Sequence, residues 1–249
     1  MAKAVGLSRK ITLRWLNKAV ELLDENLTEE EYKNALNEYL SYEIDSAIVL
    51  RKTREILMHT WVYDEDPSVT EIRNTALKLM KKYTDADDDV AIHWCMLLLN
   101  FPVLVDLAKL MGRIAEFNDV IVLKQLKQKL YDEWGERSTL YHSTDKIIAT
   151  MKELGVISAE RPGNYHIVPH EIKNENVAKL LLQVAMKVDG GSYYSFAETN
   201  TFGVMFPFKY SVSKESIMED EHFLITTFGG EMTVSLKNDG LSLGKGTGI

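Results

Sequence analysis

The sequence predicts a mainly α fold of the α+β class, and three observations support this. Up to about residue 118, apolar residues recur at helical spacing, and no stretch alternates with period two. From Asp119 onward, short β-branched segments such as VIVL (120–123) stand between helical ones. HFLITTFGGEMTVSL (222–236) is typical of two strands joined at Gly229-Gly230. We therefore predict an N-terminal helical bundle, a mixed central unit and a small C-terminal α/β segment ending in a β-hairpin.

Capping residues mark the helices of the first half. Ser8 is a candidate N-cap for a helix over about 8–24. Thr28 precedes Glu31 by three residues, the spacing of a capping box, and so predicts the start of a second helix. A third helix is predicted over about 46–60. On this assignment the basic residues among the first twenty lie on the first helix.

The central unit has a recognisable order of elements. A helix over about 103–118 is followed by the short strand, a helix that ends at Gly135, and a helix for which Ser138 is a natural N-cap. VISAERPGNYHIV (156–168) then predicts two strands around a Pro-Gly-Asn turn. Helix, strand, helix, helix and hairpin is the order of a winged helix-turn-helix, whose last helix can enter a DNA major groove. The predicted domains are 1–102 (helical bundle), 103–170 (winged helix-turn-helix) and 171–249 (C-terminal helix plus hairpin region).

Composition indicates an ordinary globular chain. Of 249 residues, 45% are apolar and 27% are charged. The single cysteine, Cys95, cannot form an internal disulfide and fits a reducing cytoplasm. The N-terminus lacks the continuous apolar core of a signal peptide. The most apolar window, 95–111, is interrupted by Asn100, Pro102 and Asp106 and is shorter than the about 20 residues that span a bilayer. We expect a cytoplasmic protein without membrane contact.

The net charge of −8 argues against nucleic acid, but the charge is unevenly distributed. Residues 1–118 hold 15 basic and 20 acidic residues, residues 119–170 hold 7 of each, and residues 171–249 hold 7 and 10. The first twenty residues contain five basic side chains and no acidic one. The chain therefore has at least one basic arm beside a neutral central unit.

No pattern predicts catalysis, and we expect no enzyme activity, no cofactor and no metal. His93 and Cys95 lie on the most apolar predicted helix, where a buried thiol is the simpler interpretation. His166 and His170 are too far apart on an extended chain to share a metal, unless the chain turns at Pro169. The acidic run 85–89 lacks the glycine and closing glutamate of a calcium loop and is interpreted as a solvated turn. GLSLGKGTG near the C-terminus lacks the spacing of a phosphate-binding loop.

Helical spacing selects the candidate DNA contacts. With Leu140, Ile147 and Met151 facing inward, the polar residues of the helix that starts near Ser138 project outward. Asp145 among them is unfavourable for DNA, and a solvated helix face remains an alternative. The candidate contacts in the major groove are Arg137, Ser138, Thr139, Tyr141, His142 and Lys146. The candidate phosphate contacts are Arg161 in the hairpin, Lys3, Arg9 and Lys10 near the N-terminus, and Arg51 and Arg54 on the third helix.

Several segments together resemble the BrxA family of bacteriophage-exclusion (BREX) defence systems. They are FPVLVDLAKLMGRI with LKQLKQKLYDEWGERSTLYHSTDKIIATMKELGVI in the centre, SAIVLRKTREIL before it, and FGVMFPFKYSV and LITTFGGEMTVSL after it. The resemblance implies a small non-enzymatic protein with a helical first half and a DNA-binding winged helix. It also implies a gene set that encodes a methyltransferase and ATPases. That family has been compared with RNA-binding antitermination proteins and labelled as inner-membrane; the hydropathy of this chain disagrees with the latter label.

The sequence and the resemblance together predict a non-enzymatic accessory protein of an anti-phage system that binds double-stranded DNA. Other BREX components are expected as further partners. Two alternatives remain open. The winged helix could serve as a docking module for a protein of the defence complex, or the helical half could bind RNA.

Overall fold

The structure, a computed structural model, describes residues 6–63, 66–82 and 85–237 and is mainly helical, with small sheets in the second half. The helices of the first half are α1 (Leu13–Leu22), α2 (Glu29–Ser41), α3 (Ala47–Trp61), α4 (Pro67–Lys82), α5 (Ala86–Asn100) and α6 (Pro102–Ala115). The capping box is confirmed, because the Thr28 side chain accepts from Glu31 N and Glu31 accepts from Thr28 N. Helix α6 begins and ends slightly earlier than the predicted 103–118.

The predicted start of the first helix at Ser8 is wrong. Helix α1 begins after Thr12, whose side chain accepts from Trp15 N, and residues 6–12 form a non-helical arm. Leu7 and Ile11 of this arm are buried in the core. Long-range packing therefore overrides the local helical pattern here. As a consequence Arg9 lies on the arm and not on a helix.

The second half alternates helices with short strands. Its elements are β1 (Ile121–Val122), α7 (Leu123–Trp134), α8 (Ser138–Glu153), β2 (Ile157–Arg161), β3 (Asn164–Ile167), β4 (His170–Glu171), α9 (Glu175–Asp189), β5 (Tyr194–Ser195), β6 (Phe208–Lys209), α10 (Lys214–Met218), β7 (Phe223–Phe228) and β8 (Glu231–Leu236). Strands β1, β3 and β2 form an antiparallel sheet in that order, and β5, β8 and β7 form another. Strands β4 and β6 pair in parallel. The predicted C-terminal hairpin is confirmed, with Gly229 and Gly230 both at positive φ.

Helix α8 begins one residue earlier than its predicted cap implies. Ser138 is its first helical residue, and Arg137 occupies the N-cap position without a side-chain capping hydrogen bond. Gly135, with φ +78°, ends α7 as predicted. The acidic run is also different from the prediction: Asp85 caps α5 by accepting from Asp87 N, and the following aspartates form the first helical turn. There they face the positive end of the helix dipole.

Helix α5 lies at the centre of the described part of the chain and packs against α3, α4, α6 and α9. Trp94 and Cys95 are fully buried in it, and burial raises the pKa of the Cys95 thiol. The buried apolar residues form one continuous cluster from the arm to β8. Within the described ranges, no single helix has the length and apolar composition of a membrane span. Helices α5 and α6 meet that description only as a pair bent by 120°.

Candidate nucleic-acid interface

Helix α8 presents the polar face that its spacing predicts. Leu140, Ile147 and Met151 are buried, as are Ser143 and Thr150. Its exposed side chains include Ser138, Thr139, Tyr141, His142 and Lys146. One helix therefore carries hydroxyl, imidazole and ammonium groups to solvent, and its inner face is held in the core.

The arm is hydrogen-bonded along the side of α8. Ser143 Oγ donates to Gly6 O at 2.7 Å. About two turns further on, Ile11 N donates to Thr150 Oγ1 at 2.9 Å. These hydrogen bonds to the arm explain why the polar side chains of Ser143 and Thr150 are buried. They also hold Arg9 beside the N-terminal half of the helix.

A cleft of about 600 Å³ lies between α8, the arm and α3. We call it the basic cleft. Three elements supply its basic side chains: Arg9 comes from the arm, Arg51 and Lys52 come from α3, and His142 comes from α8. Thr139 lines it as well. The structure thus brings together four of the predicted contacts, Arg9, Arg51, Thr139 and His142, from positions far apart in the sequence.

The cleft has a net positive charge. Among the described residues, neither Arg51 nor Lys52 has a carboxylate in ion-pair contact, and both are exposed. One acidic residue, Glu55, lines the cleft. Partial burial raises the pKa of Glu55, but hydrogen bonds from Arg54 and Tyr63 outweigh this and lower it. Glu55 is therefore ionised at neutral pH.

Two residues of the cleft, Lys52 and His59, were missing from the predicted set. At 100° per residue, positions 51, 52, 55 and 59 of α3 fall within about one third of its circumference, so helical spacing contained the signal. The same spacing places Arg54 on the neighbouring flank. Its guanidinium there contacts Glu55 at 2.6 Å and Asn37 at 3.2 Å. Arg54 does not line the cleft.

On the other flank of α8, Asp145 is paired with a cation. Lys127 of α7, only 7% exposed, contacts Asp145 Oδ1 at 2.6 Å. Its ammonium also lies 3.4 Å from the centroid of the Tyr141 ring, a close cation–π contact. The unfavourable carboxylate on this helix is therefore neutralised locally, and Tyr141 is held in place. The charge count alone contained no signal for this pairing.

A second concavity, of about 460 Å³, separates Tyr141 from the turn of the β2–β3 hairpin at Pro162-Gly163. Lys124, at the start of α7, lies on its rim. Arg161 stands at the same turn. With the Asn164 amide oriented with its oxygen toward Arg161, Nε and Nη2 of Arg161 lie 2.6 and 2.8 Å from that oxygen. The hairpin turn and α8 therefore border the same concavity.

Three further candidates are placed differently. Arg137 Nη2 donates to Trp134 O at 3.2 Å, so its guanidinium folds back on the end of α7. Lys10 is paired with Glu153 at 2.6 Å, at the opposite end of α8 from the basic cleft. Lys3 lies outside the described residues.

The histidines outside this surface contact protein groups. His166 lies between Asp119 O and Glu160, and His170 contacts Asp87 at 2.7 Å. In the described ranges, no three His, Cys, Asp or Glu side chains cluster as a metal site requires. The tail GLSLGKGTG lies outside the described residues.

The surface formed by α8, the basic cleft and the hairpin offers guanidinium, ammonium, hydroxyl and imidazole groups. These are the groups that contact phosphate oxygens and base edges in nucleic acids. Searches of protein-family models, curated proteins and solved structures find no match to this chain.

Proposed function

We propose that this protein is a non-enzymatic, cytoplasmic accessory protein that binds double-stranded DNA through a winged helix-turn-helix. Support comes from the order α6, β1, α7, α8, β2, β3 and from the sheet order β1-β3-β2, with α8 exposed along one face. The observation that carries the proposal is the convergence of Arg9, Arg51 and Lys52 beside the N-terminal half of α8.

In this proposal, α8 enters the major groove, which is about 12 Å wide. Thr139, His142 and Lys146 face base edges or adjacent phosphates. The hairpin with Arg161 lies on the backbone to one side. Arg51 and Lys52 contact phosphates on the other side, which extends the footprint beyond the winged helix to the helical bundle.

The net negative charge of the chain does not oppose this arrangement. Long-range attraction depends on the local surface, since charges further away than about 8 Å are largely screened at physiological salt. Asp145, the carboxylate on the α8 face, is paired with Lys127, and Glu153 is paired with Lys10. The carboxylates of Asp145 and Glu153 on α8 are therefore each paired with a lysine, whereas Arg51 and Lys52 of the basic cleft are exposed.

The biological setting follows from the resemblance to BrxA proteins. We propose that the protein serves a BREX-type anti-phage system, in which other components of the system are additional partners. The deletion of its gene from such a system should reduce phage resistance. Restoration with a variant that has lost duplex binding would test whether DNA contact is the activity that matters.

The direct test is fluorescence anisotropy with a 20-base-pair duplex at several salt concentrations. We expect affinity to fall steeply with salt, and Arg51→Ala/Lys52→Ala to weaken binding and flatten the log–log slope by roughly 2, one for each lost phosphate contact. Lys146→Ala should weaken binding as well. Lys78→Ala on α4 is the matched control, because Lys78 is exposed and lines neither concavity. Absence of binding at low salt, or an affinity independent of salt, contradicts the proposal.

Arg137→Ala is unsuitable as a test variant, since its guanidinium donates to the end of α7 and its loss would perturb the turn before α8. Arg51, Lys52 and Lys146 are exposed, so their removal should leave the thermal melting temperature unchanged. An RNA duplex of the same sequence and length serves as the competitor. Tighter binding of the RNA would favour RNA as the target.

A second candidate, an adaptor that docks a protein partner, is favoured by one observation. Phe117, between α6 and β1, is 84% exposed beside a groove lined by Leu110 and Ile114. Exposed aromatic residues of this kind often anchor protein interfaces. Loss of co-purification with other defence components in Phe117→Ala, with duplex binding intact or absent, would support it.

A further inference from the structure

The basic cleft has a floor that duplex binding does not explain. Below the cations, Leu7, Ile56 and Phe101 line its base, and all three are almost fully buried. Phosphate contacts need cations on an accessible surface, whereas an apolar floor offers nothing to a phosphate. The floor and the rim together indicate a ligand that has both a planar or apolar part and an anionic part.

The size and shape of the cleft fit a ligand of this kind. Its volume of about 600 Å³ lies within the range of roughly 300–1,000 Å³ of small-molecule sites. Two imidazoles also line the cleft, His59 from α3 and His142 from α8. Histidine is one of the side chains on which unpaired bases stack. The hydroxyl of Thr139 adds a donor beside His142.

Glu55, the acidic residue among the described residues that line the cleft, narrows the class of ligand further. Glu55 Oε1 accepts from both Nε and Nη2 of Arg54, whereas Oε2 accepts from Tyr63 and keeps a second lone pair. An ionised carboxylate here repels a purely anionic ligand. It can, however, accept a hydrogen bond from a base amino group or a sugar hydroxyl. The cleft therefore favours a nucleotide over inorganic phosphate.

We propose that the basic cleft binds one nucleotide unit, with its phosphate on Arg51, Lys52 and Arg9 and its base over the apolar floor between His59 and His142. This goes beyond duplex binding by α8, in which all bases remain paired. The unit is either a free mononucleotide or an unpaired nucleotide at the end of a bound strand. Both present the same base and phosphate to the cleft.

The experiment compares four probes on the full-length chain. Isothermal titration with dAMP tests the free nucleotide, and inorganic phosphate tests the anion alone. A blunt 20-base-pair duplex and the same duplex with a three-nucleotide single-stranded end, compared by anisotropy, test the unpaired nucleotide. Saturable binding of dAMP that exceeds the binding of phosphate supports a free ligand. Binding of the overhang duplex at least about fivefold tighter than the blunt one supports the strand as the source.

Two variants locate the binding. Arg51→Ala/Lys52→Ala removes two cations and should weaken the supported interaction about tenfold or more. Thr139→Phe keeps every cation and fills the cleft from an exposed position on the first turn of α8, so it should abolish nucleotide binding. Lys78→Ala is again the control, and melting temperatures confirm that each variant is folded.

Several results would overturn the inference. They are absence of both dAMP binding and an overhang preference, equal binding of phosphate and dAMP, or dAMP binding that Thr139→Phe leaves unchanged. This failure is distinguishable from a failure of the proposed function. A chain that binds the blunt duplex but neither form of the nucleotide unit retains duplex binding and loses only the nucleotide site. A chain that binds dAMP but no duplex retains the nucleotide site and contradicts the proposed duplex binding.

Discussion

At the scale of single residues, Gly112 of α6 packs directly against the backbone of Gly203. A Cβ atom at this position would lie 2.4 Å from Gly203 O. Glycine to alanine in a helix is ordinarily stabilising by up to about 1 kcal/mol. Here we expect Gly112→Ala to destabilise the protein by roughly 1–3 kcal/mol, because two backbone segments must separate. Urea unfolding measures this, with Arg113→Ala on the exposed side of α6 as a control within about 0.5 kcal/mol of the parent.

His93 makes stability depend on pH. The residue is fully buried, and this burial lowers the pKa of His93 to about 3. Its Nε2 donates to Asn17 Oδ1 at 2.6 Å, and the lowered pKa keeps the ring neutral in the fold at neutral pH. The unfolded chain takes up this proton below about pH 6.5 and the folded chain does not. The free energy of unfolding should therefore fall as the pH drops from 6.5 toward 3, by up to about 1.4 kcal/mol per pH unit.

The contribution of His93 is isolated by His93→Gln, which keeps an N–H donor for Asn17. Asp88 and Asp89 act in the opposite direction, since burial raises the pKa of both carboxyls. Their effect cancels when the variant and the parent are compared at each pH. Urea unfolding at pH 7.5 and pH 5 should show that the free energy of unfolding falls less in the variant than in the parent. An equal loss in both proteins would contradict the assignment.

At the scale of elements, the arm depends on α8 for its conformation. Ile11 N has Thr150 Oγ1 as its partner, and the site is buried. Thr150→Val keeps the shape but removes the acceptor, so we expect a destabilisation of roughly 1–3 kcal/mol. Thr150→Ser keeps the hydroxyl and should destabilise the protein less than Thr150→Val does. Hydrogen exchange of the Ile11 amide should accelerate in the valine variant alone; unchanged protection would show that the arm is held by apolar packing.

Contacts between α7 and α8 set the charge of the α8 surface that we propose faces DNA. Asp145→Asn removes the carboxylate bound by Lys127, so the face gains one net positive charge. We expect duplex affinity at low salt to rise about threefold or more. The free energy of unfolding should fall by only about 1 kcal/mol, because the side chain of Asp145 is 40% exposed and solvent screens the ion pair. Asp132→Asn on α7, which lines the groove beside Phe117, is the matched control and should leave affinity unchanged.

At the scale of the whole molecule, one continuous apolar cluster joins the segments that the sequence divides into domains. Leu7 and Ile11 of the arm belong to it, and α6 packs on both α5 and the 203–205 turn. We expect the full chain to unfold in a single calorimetric transition with equal calorimetric and van't Hoff enthalpies. The fragment 103–170 should show no cooperative melt, because it loses these contacts. A cooperative melt of the fragment would instead establish the central unit as an autonomous domain.

Much of the secondary structure could be predicted from short-range signals. Thr28 with Glu31, Gly135 after Trp134, and Gly229-Gly230 each act within four residues, so their effect can be interpreted without the rest of the chain. The first helix was predicted wrongly for the opposite reason. The arm around Ser8 has a helical pattern, but its conformation is set by residues more than a hundred positions away.

The sequence by itself determined that this protein is mainly helical, that its strands come late, and that the helix from Ser138 carries a polar face. Only the tertiary structure decided which charges are available. It paired Asp145 with Lys127 and Lys10 with Glu153, and it left Arg51 beside His142 in one cleft. The physical reason is the distance along the chain over which each effect acts. Helical periodicity and caps are local, whereas the neutralisation of a charge depends on which side chain packs against it.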